Sequence, residues 1–365
     1  MKVIQILPEL NSGGVERGTL EVAAHLVRQG HEALVISNGG RLVAELEAIG
    51  ARHIAMPVHR KSLFSLGQVG KMRTLLEAER PDIIHIRSRV PGWITWLAWR
   101  KMNPQTRPHL VSTVHGFYSI NAYSAVMTKG EKIIAVSASV KDYIIRNYAV
   151  PAEKITVIHR GVSTSQYHPE FRPSESWRES WKRDYPQFEG KYLITLPGRI
   201  TRWKGHEHFC HIIHELNNAG IPVHGIIAGA GHPKKMDFVE ELTQLIQKMG
   251  LHDKITMIGD RRDMREVMAS SDAVLSLSLD PEAFGRVSLE AMCLGIPVLG
   301  YDHGGVAEQL EIMYPQGRIP AGDWQAAATL LQQWQREKPP SPSANAFTLE
   351  EMLRQTEEVY RSVLS

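Results

Sequence analysis

The sequence predicts an α/β protein built from two Rossmann-like, doubly wound parallel-sheet domains, on three observations. Its 365 residues suit about two domains, each able to bury a core. Short runs rich in Val and Ile, apolar on both faces, alternate with helix-length segments, which is the mark of a parallel sheet covered on both sides. The alternation breaks off in a polar stretch and then begins again.

The first series is VIQIL at 3–7, ALVIS at 33–37, DIIHI at 82–86, LVSTV at 110–114 and KIIAVS at 132–137. FRPSESWRESWKRDYPQFEG at 171–190 follows, polar and Trp-bearing, and predicts a short helix within a connection. The second series is YLITLPG at 192–198, VHGIIAG at 223–229, KITMIG at 254–259, AVLSLS at 273–278 and PVLGY at 297–301. Beyond Asp323 a helical pattern runs to the breaker KPPSPSAN at 338–345, and EEMLRQTEEVYRSVL at 350–364 has the apolar spacing of an amphipathic helix. The expected organisation is an N-terminal domain over 1–168, a connection over 169–190, a C-terminal domain over 191–340 and a terminal segment over 341–365.

Composition narrows the class. Hydrophobic residues make up 43% and charged residues 22%, ordinary for a soluble protein, and no run approaches the roughly 18–20 apolar residues of a spanning helix. MKVIQILPEL reads as an immediate strand and not as an export signal. Cys210 and Cys293 form no C-x-x-C pair, so packing thiols in a reducing cytoplasm are expected in place of a disulfide or zinc framework. The net charge of +3 conceals an asymmetry: residues 1–160 hold 21 Lys and Arg against 12 Asp and Glu, and the remainder 21 against 27. A +9 half can attract phosphates, an anionic acceptor or an anionic membrane surface, or can be a solvated basic face. No nucleic-acid partner is expected.

Three segments carry chemistry. In NSGGVER at 11–17, Gly13 and Gly14 stand between the first strand and a helical pattern; such a turn either aims backbone N–H groups at an anion or is only a sharp turn. It lacks the G-x-G-x-x-G spacing of nicotinamide enzymes. LPGRITRWKG at 196–205 sets Arg199 and Lys204 just past a strand, on the edge where open α/β sheets bind ligands, and two cations there can neutralise a diphosphate. PEAFGRVSLEAMCLGIPVLG at 281–300 spaces Glu282 and Glu290 eight residues apart, with Phe284-Gly285 turning the chain before a helix from about Val287. A carboxylate offers two coplanar acceptors to neighbouring hydroxyls. The plainer reading makes Glu290 a helix N-terminal charge and Glu282 a solvated side chain.

These segments, with GGVAE at 304–308, resemble the family 4 glycosyltransferases of the GT-B fold. The pattern P-E-x-F-G-R-x-x-L-E-A-M-x-x-G-x-P-V, the pattern G-R-x-x-x-x-K-G and the N-terminal G-G-V-E-R fall in the family's order over nearly the whole chain. The resemblance implies that Glu290 grips the donor ribose, that Glu282 meets the donor sugar's hydroxyls, and that Arg199 and Lys204 hold the diphosphate. It places the backbone of Phe284, Gly285, Arg286 and Val287 against sugar and phosphate, and Gly14, beside Gly13, over the diphosphate. His115, in STVHGFY at 112–118, resembles the histidine that contacts the donor sugar near its reacting carbon. His85 occupies a position that often carries histidine in relatives, though a structural role at a strand end fits equally. Gly259, Asp260 and Arg261 are expected around the base. The terminal helix is expected to cross back onto the first domain.

The implied reaction is retaining transfer of a sugar from a nucleotide-diphosphate donor, UDP favoured, to a glycan or lipid-linked acceptor, with no cofactor. The leaving phosphate would take the acceptor's proton. No D-x-D motif occurs, so no metal is expected and Arg199 and Lys204 replace its charge. The chain departs from the family at Trp203, where relatives often have a small or apolar residue, and at Ala283, where many have Pro or Gly, which leaves the donor sugar open. The alternatives are a sugar-nucleotide epimerase of the same fold, a pyridoxal-phosphate phosphorylase, and a non-catalytic nucleotide-sugar-binding protein. RSRVPGWITWLAWRKMNPQTR at 87–107 combines Arg87, Arg89, Arg100, Lys101 and Arg107 with Trp93, Trp96 and Trp99, which suits either a helix at a lipid headgroup boundary or a packed helix of the first domain. The expected setting is cytoplasmic, peripheral on the inner membrane face, in lipopolysaccharide or surface polysaccharide assembly.

Overall fold

The computed structural model describes residues 1–11, 13–62, 65, 67–231 and 237–365. They form two compact units, one of Met1–Arg160 with Glu350–Ser365 and the other of Gly161–Leu349. Each contains one parallel sheet flanked by helices.

The first unit orders its strands β3-β2-β1-β4-β5-β6-β7, with β1 at Lys2–Ile6, β2 at Glu32–Ser37, β3 at Arg52–Ala55, β4 at Ile83–Ile86, β5 at His109–Val114, β6 at Lys132–Ala135 and β7 at Ile155–Val157. Helices α1 (Gly14–Arg28), α2 (Val43–Ala48), α3 (Gln68–Glu79), α4 (Arg89–Trp99) and α5 (Ala138–Tyr148) fill the crossovers. The central strands are apolar because both faces are covered: Val3, Ile4, Ile6, Ile83, Ile84 and Ile86 are wholly buried. Strand order reverses at β1, between β2 and β4, and the carboxyl ends of the strands there carry the loops of NSGGVER and of Arg87.

The second unit orders its sheet β10-β9-β8-β11-β12-β13, with β8 at Tyr192–Pro197, β9 at Val223–Ala228, β10 at Ile255–Gly259, β11 at Ala273–Ser276, β12 at Val298–Tyr301 and β13 at Arg318–Ile319. Its helices are α6 (Glu175–Asp184), α7 (His206–Asn218), α8 (Asp237–Lys248), α9 (Met264–Ala269), α10 (Arg286–Cys293), α11 (Gly304–Met313) and α12 (Trp324–Arg336). Cys210 and Cys293 are free and buried, and burial pushes both thiols up to about 12.

The boundaries differ from those expected at 168 and 191. Residues 161–168 go with the second unit because the backbone there is tied to it: Val162 N–H donates to Phe347 O at 3.1 Å, and Leu349 N–H to Val162 O at 3.1 Å. A Cβ at Gly161 would stand 2.3 Å from Thr348 O. The expected connection over 169–190 also packs as part of this unit. Trp177 and Trp181 of α6 stack with ring centroids 4.9 Å apart, and Trp181 and Phe188 close a cluster with Leu193, Ile226 and Val267. Aromatic burial of that size turns a polar-looking stretch into a structural helix.

The terminal helix α13 (Leu349–Leu364) buries Met352, Leu353, Val359 and Tyr360. Tyr360 Oη lies 2.6 Å from His85 Nδ1, and Glu357 lies 2.7 Å from His25 Nε2, both partners in the first unit. Among the described residues no helix is long and apolar enough to cross a membrane.

Candidate active site

In the second unit the site grows from the carboxyl end of β8. Gly198 (φ 138°) and Gly205 (φ 74°) both take backbone conformations that L side chains resist. At Gly205 a Cβ would fall 2.1 Å from Leu277 O, so only glycine lets the Arg202–Lys204 turn sit against β11. That turn delivers Lys204, whose Nζ meets Glu282 Oε1 at 2.7 Å; both side chains are 18% exposed. The same carboxylate oxygen accepts from Ser278 Oγ at 2.6 Å. Arg199, on the same loop, is exposed and makes no ion pair among the described residues.

The Glu282 loop is locked from below. Gly305 N–H donates to Glu282 O at 2.8 Å, and Gln309 Nε2 donates to the carbonyl oxygens of Phe284 and Gly285. A Cβ on Gly304 or Gly305 would collide with the backbone of residues 282–284. GGVAE therefore works by close approach to PEAFG. Gly285 (φ 87°) caps α10, which starts at Arg286, one residue before the expected Val287. On it Arg286 Nε donates to Glu290 Oε1 at 3.0 Å. Phe284 is buried, so what this segment offers a ligand is its backbone and the N-terminal amides of α10.

Around the expected base pocket, Gly259 (φ 71°) has open space where a Cβ would stand. Arg261 is engaged elsewhere: its guanidinium spans Asp263 at 2.9 and 2.6 Å, and Asp263 in turn accepts from Trp177 Nε1 at 2.6 Å. Its charge holds α6 in place, a use that reading along the chain gave no sign of. A cavity of about 510 Å³ opens beside it, lined by Gln166, Tyr167, Arg262, Asp263, Met264, Arg265 and Glu266. Tyr167 was not foreseen. Its hydroxyl is held well above the ordinary range, by burial first and then by the charge of Glu290.

In the first unit, Gly13 (φ 144°) caps α1, and nothing stands within 4 Å of where a Cβ on Gly14 would lie. Gly18, one turn on, leaves room for two guanidinium groups: a Cβ there would stand 2.7 Å from Arg160 and 3.2 Å from Arg87. His115 follows β5 directly. Its Nδ1 is 2.7 Å from an Arg160 guanidinium nitrogen. A guanidinium can only donate, so Nδ1 accepts and the ring proton sits on Nε2. Among the described residues, that Nε2 is buried without a hydrogen-bond partner. Burial, then the charges of Arg160 and Arg87, hold the His115 pKa well below 6.5. His115 is thus a neutral imidazole with one N–H to give, suited to donating a hydrogen bond and unsuited to acting as a cation.

His85 has the structural role. It is 1% exposed and sits between Tyr360 Oη and Thr113 Oγ1, both at 2.6 Å. Arg87, grouped in the sequence with the basic residues of 87–107, is 2% exposed and donates to Gln5 Oε1 at 2.8 Å. The tryptophans of α4 divide: Trp99 is buried and donates to Pro108 O, while Trp93 and Trp96 are half-buried.

Ser278, His303, Tyr167 and Arg160 are the residues near these groups that motif reading passed over. His303 Nε2 lies 2.7 Å from Ser278 O; His303, Tyr167 and Arg160 act through partners far away in sequence, whereas Ser278 acts on Glu282, four residues on. Among the described residues no group of three His, Cys, Asp or Glu side chains could hold a metal ion.

Comparison with known proteins gives concordant results for both units. The model of Glycosyltransferase Family 4 matches residues 12–166, and that of Glycosyl transferases group 1 matches residues 178–348. An uncharacterized glycosyltransferase of Methanocaldococcus jannaschii is 28% identical over 324 residues, 81% of this chain and 78% of that protein. Of solved structures, a glycosyltransferase from Rickettsia africae superposes with a TM-score of 0.86 at 29% identity, covering 100% of this chain and 98% of the other. HepE of Anabaena in complex with UDP-glucose does so with a TM-score of 0.80 at 23% identity, covering 99% of this chain and 100% of the other.

Proposed function

Because the chain belongs to the family 4 glycosyltransferases of the GT-B fold, we propose that it moves a sugar, with retention of anomeric configuration, from a nucleotide diphosphate onto a glycan or lipid-linked acceptor. The observation that carries this reading is the contact of Lys204 with Glu282 at 2.7 Å. The bond broken in a nucleotide sugar joins an anionic phosphate to a ring of hydroxyls. A site for that junction needs a cation and a carboxylate side by side, and needs both at the ligand-binding edge of the sheet.

In this reading Lys204 and Arg199 stabilise the charge that grows on the leaving diphosphate, the part a divalent ion plays elsewhere. Glu282 accepts from the sugar's hydroxyls, and Ser278 fixes its second lone pair. Glu290 receives the ribose. The backbone of Phe284, Gly285, Arg286 and Val287 lies along sugar and phosphate, with Gly13 and Gly14 over the diphosphate and Gly259 beside the base. His115 donates its Nε2–H to a sugar hydroxyl. The anomeric carbon–phosphate oxygen bond breaks, the bond to the acceptor oxygen forms on the same face, and the acceptor's proton passes to the departing phosphate oxygen. Uridine is the favoured base; the Anabaena protein of the same fold was solved with UDP-glucose. The excess of positive charge in residues 1–160 supports an anionic or lipid-linked acceptor of lipopolysaccharide or surface polysaccharide assembly, met at the inner face of the cytoplasmic membrane.

A thermal-shift panel of UDP, GDP, ADP and their sugar conjugates tests the donor. One nucleotide series should raise the melting temperature of the wild type, and Glu290→Ala and Arg199→Ala should abolish the rise. No rise with any nucleotide would sink the donor site. Consumption of donor without any acceptor would turn the reading toward an epimerase.

A further inference from the structure

The first unit holds a cavity of about 500 Å³ that the transfer chemistry does not use. Val90, Trp93, Ile94 and Leu97 of α4 form its wall, with Ala122 and Tyr123 from the loop after β5. Its size falls within the roughly 300–1,000 Å³ of small-molecule sites. The wall is apolar: the Trp93 indole N–H is already spent on Tyr123 O at 2.8 Å, and Ile94 is buried.

The rim is cationic. Arg60 and Lys61 line the cavity, Lys61 Nζ stands 4.3 Å from the Tyr123 ring centroid, and Arg89 stands 5.3 Å from the same centroid. No Asp or Glu is among the described residues that line it. A cationic rim without carboxylates attracts an anion, and an apolar wall takes a hydrocarbon. A sugar phosphate would satisfy only the rim, and a neutral hydrocarbon only the wall.

We infer that this cavity binds the lipid part of a phosphorylated lipid, with the chain against Trp93 and Leu97 and the phosphate at Arg60 and Lys61. The site would hold a long-chain acceptor by its anchor while leaving the glycan free. Its role as acceptor site rests on the transferase reading; its binding of such a lipid does not.

Titration calorimetry with farnesyl phosphate, farnesol and inorganic phosphate tests the inference on the whole chain. The wild type should bind farnesyl phosphate at least tenfold more tightly than either half-ligand. Leu97→Glu, which puts a charge in the wall, should lose at least tenfold, and so should Ala122→Trp, which fills the cavity from an exposed position and spares the core. The double variant Arg60→Ala, Lys61→Ala should lose farnesyl phosphate affinity and keep that for farnesol. Equal affinity in the wild type and Ala122→Trp would overturn the inference, and so would inorganic phosphate binding as tightly as farnesyl phosphate. A UDP thermal shift, run on every variant, separates the two readings: it should persist in all of them, and its absence alongside intact lipid binding would remove the donor reading and leave the cavity's ligand standing.

Discussion

Lys204 and Glu282 neutralise each other while no ligand is present, and a nucleotide sugar must offer each a better partner. This makes Lys204 worth more in the transition state than in donor binding, because the diphosphate gains charge as the sugar leaves. Lys204→Ala should therefore lower kcat by about 10²–10³-fold while the KM for donor changes far less, as steady-state kinetics would show; equal losses in binding and turnover would make Lys204 a mere docking charge. His115 calls for a different measurement. With its pKa well below 6.5 and its proton on Nε2, it stays a neutral donor across the working range, so kcat/KM should show no acid limb near pH 6.5. A limb there that vanishes in His115→Gln would refute the assignment. Glycines divide by what surrounds them. Gly205→Ala meets Leu277 O at 2.1 Å in a left-handed conformation and should cost at least about 3 kcal/mol, whereas Gly30→Ala, at φ 76° with open space around it, pays only the conformational strain of about 1 kcal/mol. Denaturant midpoints of the two variants give the comparison. At this scale the sequence was most readable where chemistry is contiguous in the chain, as in PEAFG and GRITRWKG. It was silent on Arg160 at His115, 45 residues away, and on the charge of Glu290 acting on Tyr167, because such partners are chosen by the fold and leave no local pattern.

The central strands were legible as elements because burial on both faces forces unbroken apolar runs. The edge strands β3, β7 and β13 were not, whereas β10, also at an edge, was read as KITMIG. β3 is Arg-His-Ile-Ala with no wholly buried residue, and β7 has three residues; with one side open, neither needs a pattern that stands out from a loop. α6 was recognised as a helix but not as packed structure, since its charges hide the Trp181 face. Trp181→Ala should cost about 3–5 kcal/mol, visible as a fall in the chemical denaturation midpoint; a loss below 1 kcal/mol would return the segment to the status of a linker. α13 presents the opposite case, an obvious amphipathic pattern expected on the first domain, though the residues it meets there left no local sign. Its Tyr360 hydroxyl sits on His85 Nδ1 at 2.6 Å, both buried, so Tyr360→Phe leaves an imidazole nitrogen without its partner. The expected cost is about 1–3 kcal/mol, with earlier hydrogen exchange across α13.

The whole molecule carries buried, neutral imidazoles in both units, and this sets its response to acid. His85 in the first unit is held well below 6.5, mainly by burial. His206 and His224 in the second are pushed down to about 4, again mainly by burial. Above pH 6.5 these groups are neutral whether folded or unfolded and cost nothing. As the pH falls through 6.5, the unfolded chain takes up protons that the folded chain refuses, so stability is lost at about 1.4 kcal/mol per pH unit for each group until its folded pKa is reached. Carboxylates act in a lower window: Glu79 and Glu357, whose pKa values are lowered, contribute stability that disappears only as the pH falls below about 4.5. The interval from 6.5 to 5 thus lies above the window of these two carboxylates and within that of the imidazoles. Melting temperatures taken at pH 7.5, 6.5 and 5 should be level over the first interval and fall over the second, and His224→Gln should fall less steeply than the wild type. A wild-type curve level down to pH 5 would mean that these rings take up protons in place, and that their hydrogen bonds to Thr113, Thr201 O and Thr256 rearrange to hold the cation.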